Sequence, residues 1–186
     1  MLQLTLDTNC LIDVAEARAG AASVLALAKA HANGIADVAV VAIAASERQT
    51  DARQLQNFGE FETRLKALGL GHLKIIKPLG YWGITFWDRS LWGTAEGIAV
   101  ERKIHNILFP TLPFDGDAFA EEEHDRRKWR NAKCDVQSYW AHVQQRRDVF
   151  VTSDENFHKQ SKKPQLIELI GPEARIMRPD EAAAHP

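Results

Sequence analysis

The sequence predicts an α/β protein whose parallel sheet is covered by helices on both faces. Three observations carry this. Short apolar segments without strict alternation recur along the chain, as strands buried on both sides require. Stretches with apolar residues at three- and four-residue steps separate them. An acid also follows closely after two of the clearest strand candidates, at Asp7 and Asp154. In open parallel sheets ligands bind beyond the carboxyl ends of the strands, so acids there stand where chemistry is done.

Taken in order, residues 2–6 (LQLTL) alternate, are β-prone and end at Asp7. Residues 10–30 are rich in Ala and Leu, lack proline, and read as helix broken near Gly20; Asn33-Gly34 stops them. Residues 35–43 form a buried strand that runs into a helix starting near Ala44 and carrying Glu47. Residues 52–68 are helical through Leu55, Phe58, Phe61, Leu65 and Leu68, and residues 73–76 form a short strand ended by Pro78. Residues 79–91 resist assignment, because Trp82, Trp87 and Trp92 recur at a spacing that matches neither helix nor strand. Residues 95–108 are helical, stopped by Pro110 and Pro113. A long helix covers about 125–145, with Trp129, Ala132, Val136, Tyr139, Trp140 and Val143 as its apolar stripe. Residues 148–152 (DVFVT) are a strand, 166–170 a small helix, and 174–177 a last strand; 178–186 reads as a loose tail.

The 186 residues fit a single domain, and 45% hydrophobic with 26% charged residues supplies both a core and a solvated surface. The composition excludes a disordered chain. The longest strongly apolar run, residues 38–45, is far shorter than the roughly 20 residues that span a bilayer. No basic segment precedes an apolar one at the start, so no signal peptide or membrane association is expected. Two cysteines, Cys10 and Cys134, make no disulfide framework, and a reducing cytoplasm is the expected setting. The net charge of -2 conceals a basic stretch from His124 to Asp148, seven Lys or Arg against three acids. Such a stretch is either a solvated helix face or a surface for a polyanion.

Asp7, Glu47, Asp135 and Asp154 are the candidate site. If the long helix presents Asp135 to the strand edge, four carboxylates converge. Like charges raise one another's pKa unless a cation neutralises them. An oxygen-only donor set suits Mg2+ or Mn2+, and metal-assisted phosphodiester hydrolysis follows naturally. Each acid also has a plainer explanation: Asp7 as a helix cap, Glu47 as half of a surface pair with Arg48, Asp135 as a charge beside Lys133, Asp154 as a turn residue.

The motifs LTLDTNCLIDV (4–14), AIAASERQ (42–49), AKCDVQSYW (132–140) and VFVTSDENF (149–157) together resemble the PIN-domain family of metal-dependent nucleases. That family includes the toxin ribonucleases of bacterial toxin–antitoxin pairs. The resemblance implies a PIN-like three-layer α/β/α sandwich over residues 1–178, with an aromatic-rich elaboration at about 79–125 and a tail at 179–186. It implies that Asp7, Asp135 and Asp154 hold the metal directly or through water, and that Glu47 ligates metal or orients the attacking water. Asn9, Thr152 and Ser153 would fix carboxylate geometry or touch a phosphate. RNA, single-stranded or structured, is the implied substrate, with an antitoxin protein or a second copy of the chain as implied partners. A stand-alone RNA-processing or DNA nuclease fits the same motifs.

Arg126, Arg127, Lys128, Arg130 and Lys133 precede Asp135 and are candidates for phosphate binding, or else a solubilising face. Trp82, Trp87 and Trp92 fit core or interface packing ahead of base stacking. The histidines show no zinc spacing, the glycines form no nucleotide-binding loop, and Cys10 reads as a buried small residue rather than a nucleophile. A phosphatase of the aspartyl-phosphate type expects a second aspartate two residues after Asp7, where the chain has Asn9. The remaining alternative is a catalytically silent nucleic-acid or protein-binding module.

Overall fold

The computed structural model describes residues 1–46, 55, 57–116 and 123–185. Five strands lie in the order β3-β2-β1-β4-β5 and all pair in parallel. They are β1 (Leu2–Leu6), β2 (Ala36–Val41), β3 (Lys74–Ile76), β4 (Val149–Val151) and β5 (Arg175–Met177). The helices are α1 (Thr8–Ala15), α2 (Ala21–Ala32), α3 (Phe58–Ala67), α4 (Ala95–Leu108), α5 (Glu123–Gln144), α6 (Glu155–His158), α7 (Lys163–Glu168) and α8 (Pro179–Ala183).

Strand residues divide between two cores, as successive side chains must on a sheet buried on both faces. Leu4, Leu6, Val38, Val40, Val149 and Val151 pack with Leu11, Val24, Leu27, Phe58, Phe61 and Leu65 of α1, α2 and α3. Ala39, Val41, Phe150 and Ile176 face the other way, onto Ile104, Val136, Tyr139, Trp140 and Leu166 of α4, α5 and α7. The result is a three-layer α/β/α sandwich with a fully parallel sheet among the described strands. The interior of the second layer is aromatic, with Tyr139 edge-on to Phe150 at 5.0 Å and Phe150 to Phe157 at 5.1 Å.

The expected break between the first two helices falls at Gly20. A Cβ there would run into the Asp13 carboxylate, so glycine lets the α2 start approach this buried acid without displacing it. Gly34 ends α2 in the left-handed region at φ +69°. After β2 the chain makes a 3-10 turn over Ala42–Ser46, and the expected helix bearing Glu47 lies outside the described residues. Helix α3 starts later than the apolar spacing predicts, at Phe58, where Asn57 Oδ1 accepts from the Glu60 N–H.

The tail differs from its expectation. Arg178 to Ala184 folds as α8 and its flanks, with Pro179 in the first turn and Glu181 accepting from the Arg178 N–H at 2.8 Å. Ala182 is buried in the first core. Composition hid a helix whose start was marked by Pro179 and by Glu181, although its N-cap position holds an arginine that makes no side-chain cap bond.

At the amino edge of the sheet Arg147 is buried. Its guanidinium donates to Leu4 O, Asp37 O and Asp37 Oδ2, joining β1 and β2. The carboxyl edge is thereby left for the site. Among the described residues no helix is long and apolar enough to cross a membrane.

Candidate active site

In this strand order the direction of crossover reverses between β1 and β4, which is where parallel α/β sheets open a binding crevice. Leu6 pairs with Val151 across that boundary, so the residues that follow each strand meet. The Asp7 N–H donates to Val151 O at 2.9 Å. Thr152 Oγ1 donates to Asp7 Oδ2 at 2.8 Å and accepts from the Asp154 N–H at 3.0 Å. One hydroxyl therefore links the two acids expected at the strand ends.

Asp7 occupies the N-cap position of α1, yet its side chain makes no capping bond. Its Oδ1 instead accepts from Ser138 Oγ of α5 at 3.1 Å, and Asn9 Nδ2 lies 3.3 Å from Oδ2. The carboxyl is 1% exposed. Burial pushes its pKa up; hydrogen bonds from Thr152, Thr8 and Ser138 pull it down, and the nearby Asp154 charge adds to the rise. A buried carboxylate with a second carboxylate charge nearby is the arrangement that a cation relieves.

Asp154 is half-buried and caps the short α6, accepting from the Asn156 N–H at 2.8 Å. The plain capping role and the place beside Asp7 are both filled by the same residue. Ser153 turns the other way, donating to Asp13 Oδ2 at 3.2 Å. Asp13 is 5% exposed and sits within the first motif. Sequence reasoning passed over it, although an acid in the apolar stripe of a helix is the signal that marks it. Ser138 was also missed. It stands one helical turn after Asp135, and that spacing was the available signal.

Asp135 is half-buried on α5 and lines a cleft of about 510 Å³ together with Lys128, Asn131, Asn156, Lys159 and Lys162. Glu47 lies outside the described residues, directly after Ser46. The Oγ atoms of Thr8 and Ser46 are buried without a hydrogen-bond partner among the described residues. Both lie beyond carboxyl ends of strands, Thr8 after β1 and Ser46 after β2, so polar capacity at this edge is unspent.

The basic stretch does not act as one face. Arg126, Arg127 and Lys128 are exposed. Arg130 donates to Gly83 O at 2.8 Å and to Ser46 O at 3.1 Å, tying the tryptophan loop to the 3-10 turn that follows β2. Lys133 is 0% exposed, with Nζ 2.9 Å from Glu101 Oε1 and 3.0 Å from the Tyr81 hydroxyl. It is a buried structural cation and does not reach a phosphate. Helical spacing places it on the α4 side of α5, where Gln137 also donates to Glu101 at 2.9 Å.

Trp82 and Trp92 are 83% and 87% exposed, so neither packs into the core. They flank Trp87 at ring distances of 5.3 and 5.8 Å. Trp140 is buried and donates to Gly97 O at 2.8 Å, and Trp129 is half-buried, as their helical stripe predicts. Cys10 donates through Sγ to Val151 O at 3.2 Å, and burial, then Asp7 and Asp13, push its thiol well above the ordinary range. It is no nucleophile.

Among the described residues no group of three or more acids, histidines or cysteines is arranged to hold a metal ion. Two acids, Asp7 and Asp154, are close enough to raise the cost of ionising Asp7. Their donor atoms are oxygens, which fit Mg2+ or Mn2+ rather than zinc. No known family profile matches the chain, and no curated protein matches it in sequence. Fold and site together define a three-layer α/β/α protein with a carboxylate pair at the switch point of its parallel sheet.

Proposed function

We propose that the chain is a divalent-metal-dependent endoribonuclease. The observation that supports it best is the meeting of Asp7 and Asp154 at the sheet's switch point, where the Thr152 hydroxyl donates to the Asp7 carboxylate and accepts from the Asp154 backbone N–H. Asp7 and Asp154 would hold Mg2+ or Mn2+, with Asp135 contributing from α5 and Glu47 from the segment after β2. The ion, when bound, supplies a nucleophilic water and offsets charge on the scissile phosphate.

The chain's own residues do the positioning. Ser138 and Thr152 fix both oxygens of Asp7, so the carboxylate presents its remaining lone pairs in one direction. The Asn156 N–H holds Asp154 Oδ1, and the Thr152 hydroxyl accepts from the Asp154 N–H, which fixes the start of α6. Asn9 disfavours the phosphatase reading, because an amide lies against Asp7 where a second acid is needed. The motif resemblance adds RNA as the substrate and an inhibiting antitoxin as the partner.

The test is incubation with a pool of structured and unstructured RNAs in Mn2+ and in Mg2+, with EDTA and Asp7→Asn controls. Endonucleolytic cleavage that requires metal and is lost in Asp7→Asn is the expected result. Folded, metal-supplied protein that binds RNA without cutting it would favour the binding module.

A further inference from the structure

We infer that the cleft beside Asp135 is a phosphate-binding subsite for single-stranded RNA, carried by Lys128, Lys159 and Lys162. The inference rests on the nuclease reading for its choice of ligand. The residues themselves come from the geometry, and two of the three lie outside the basic stretch before Asp135.

Charge is the first argument. Three lysines and a single acid line this cleft. Lys128 and Lys159 are exposed and have no ion-pair partner among the described residues. Lys162 hydrogen-bonds neutral acceptors, the Leu108 carbonyl and Asn156 Oδ1 at 2.6 Å, so its charge is held in place without a directly bonded carboxylate. Lys133, Arg130 and Arg147 are committed elsewhere in the fold.

Continuity with the acids is the second. Lys128, Asn131, Asp135 and Ser138 recur at three- and four-residue steps, so one stripe of α5 runs from the cleft to the hydroxyl that holds Asp7. From the other side, Lys162 bonds the Asn156 side chain, and the Asn156 backbone N–H bonds Asp154. Both walls lead to the carboxylate pair.

Shape is the third. Lys128 and Asp135 are seven residues apart, about 10 Å along the helix. That is long enough for more than one phosphate of a strand. Phe109 and Pro110 form an apolar wall against which a base can rest, with Lys162 Nζ 6.0 Å from the Phe109 ring. A small anion would need a single focus; this site is a track.

The experiment is anisotropy titration of a labelled, unstructured RNA of about 16 nucleotides in EDTA, repeated across salt concentrations. Lys128→Ala/Lys159→Ala changes two exposed residues and preserves the fold. Lys162→Ala is added as a third substitution, with circular dichroism to confirm folding. Lys29→Ala/Lys66→Ala, exposed on α2 and α3, removes equal charge elsewhere. The double variant is expected to bind about tenfold more weakly and to lose about 1.4 from the salt slope. Unchanged affinity, an equal loss in the α2/α3 control, or tighter binding of duplex than of single strands overturns the subsite. Metal-dependent cleavage with unaltered binding by the lysine variants sinks the subsite alone. Lysine-dependent binding without any cleavage supports the subsite and sinks the nuclease reading.

Discussion

Ser138 Oγ donates to Asp7 Oδ1 at 3.1 Å, joining the end of the central strand to the long helix that carries Asp135. The bond spans 131 residues of sequence and is buried. It sets the distance between two elements that both supply acids in the nuclease proposed above. Ser138→Ala is expected to cost about 1 kcal/mol of stability, the ordinary value of one such bond. Its effect on metal-dependent cleavage is expected to be larger, about 10- to 100-fold, because a carboxylate loses its orientation. Ser138→Thr should recover part of the rate. Equal, small losses in stability and in rate would reduce Ser138 to a packing residue.

Asp7 should burden the fold that contains it. Its pKa is raised by burial and by Asp154, so the folded state resists ionisation more than the unfolded state does. A group raised in this way contributes stability below its unfolded pKa, and that contribution disappears as pH rises through the folded pKa. At neutral pH, Asp7→Asn is therefore expected to raise the melting temperature, by about 2–4 °C for each kcal/mol relieved in a chain of this size. Near pH 4 and below the gain should vanish. Added Mn2+ should stabilise the wild type and leave Asp7→Asn unmoved. A variant less stable than wild type at pH 7 would contradict the assignment.

Acid should destabilise the protein through His142. This imidazole is fully buried between Tyr139 and Phe150, with Nδ1 2.9 Å from Thr5 Oγ1. Burial, then the Arg147 charge, lower its pKa to about 3 from 6.5. With the folded value depressed, only the unfolded state takes up a proton below about pH 6.5. Stability is then lost by about 1.4 kcal/mol per pH unit until pH approaches the folded value. Asp37 acts in the same sense: burial works against its ionisation, but Lys74 and Arg147 outweigh that and hold its carboxyl below the usual range. Asp7 runs the other way. His142→Asn should flatten the slope of denaturant-derived stability between about pH 4 and pH 6. An unchanged slope would assign the acid limb to the carboxylates.

What the chain disclosed follows from how local each signal is. The parallel sheet, the break at Gly20 and the inward stripe of α5 depend on periodicity over a few residues, and each is present. The strand-end positions of Asp7 and Asp154 were legible for the same reason. Ser138 and Asp13 were not, because their importance lies in partners more than 130 residues away. Helix α8 was obscured by an Ala- and Pro-rich composition that also suits a frayed end. The tryptophans had no periodic signature, and their exposure is set by the loop that Arg130 and the Leu79–Leu91 bridge hold in place.

Lys133 shows how a basic stretch misleads, and its burial supports a sharp prediction. Its partner Glu101 lies 32 residues earlier on α4, so no local pattern distinguishes this lysine from Lys128. Burial lowers the Lys133 pKa, and Glu101 beside it opposes that shift. The Tyr81, Phe114 and Trp129 rings surround the ammonium within 5.4 Å. Removing one partner of a buried pair leaves an uncompensated charge, so Lys133→Met is expected to cost about 3–5 kcal/mol. Lys133→Met combined with Glu101→Gln should recover much of that loss, since Gln137 and Tyr81 can still hydrogen-bond the amide. Neither change should alter the salt dependence of RNA binding, because this ammonium faces Glu101 and not the cleft. Denaturant unfolding of the two single variants and the double closes the cycle. Additive losses would show that the two charges do not interact, and a shallower RNA salt slope in the folded double variant would return Lys133 to the phosphate-binding face.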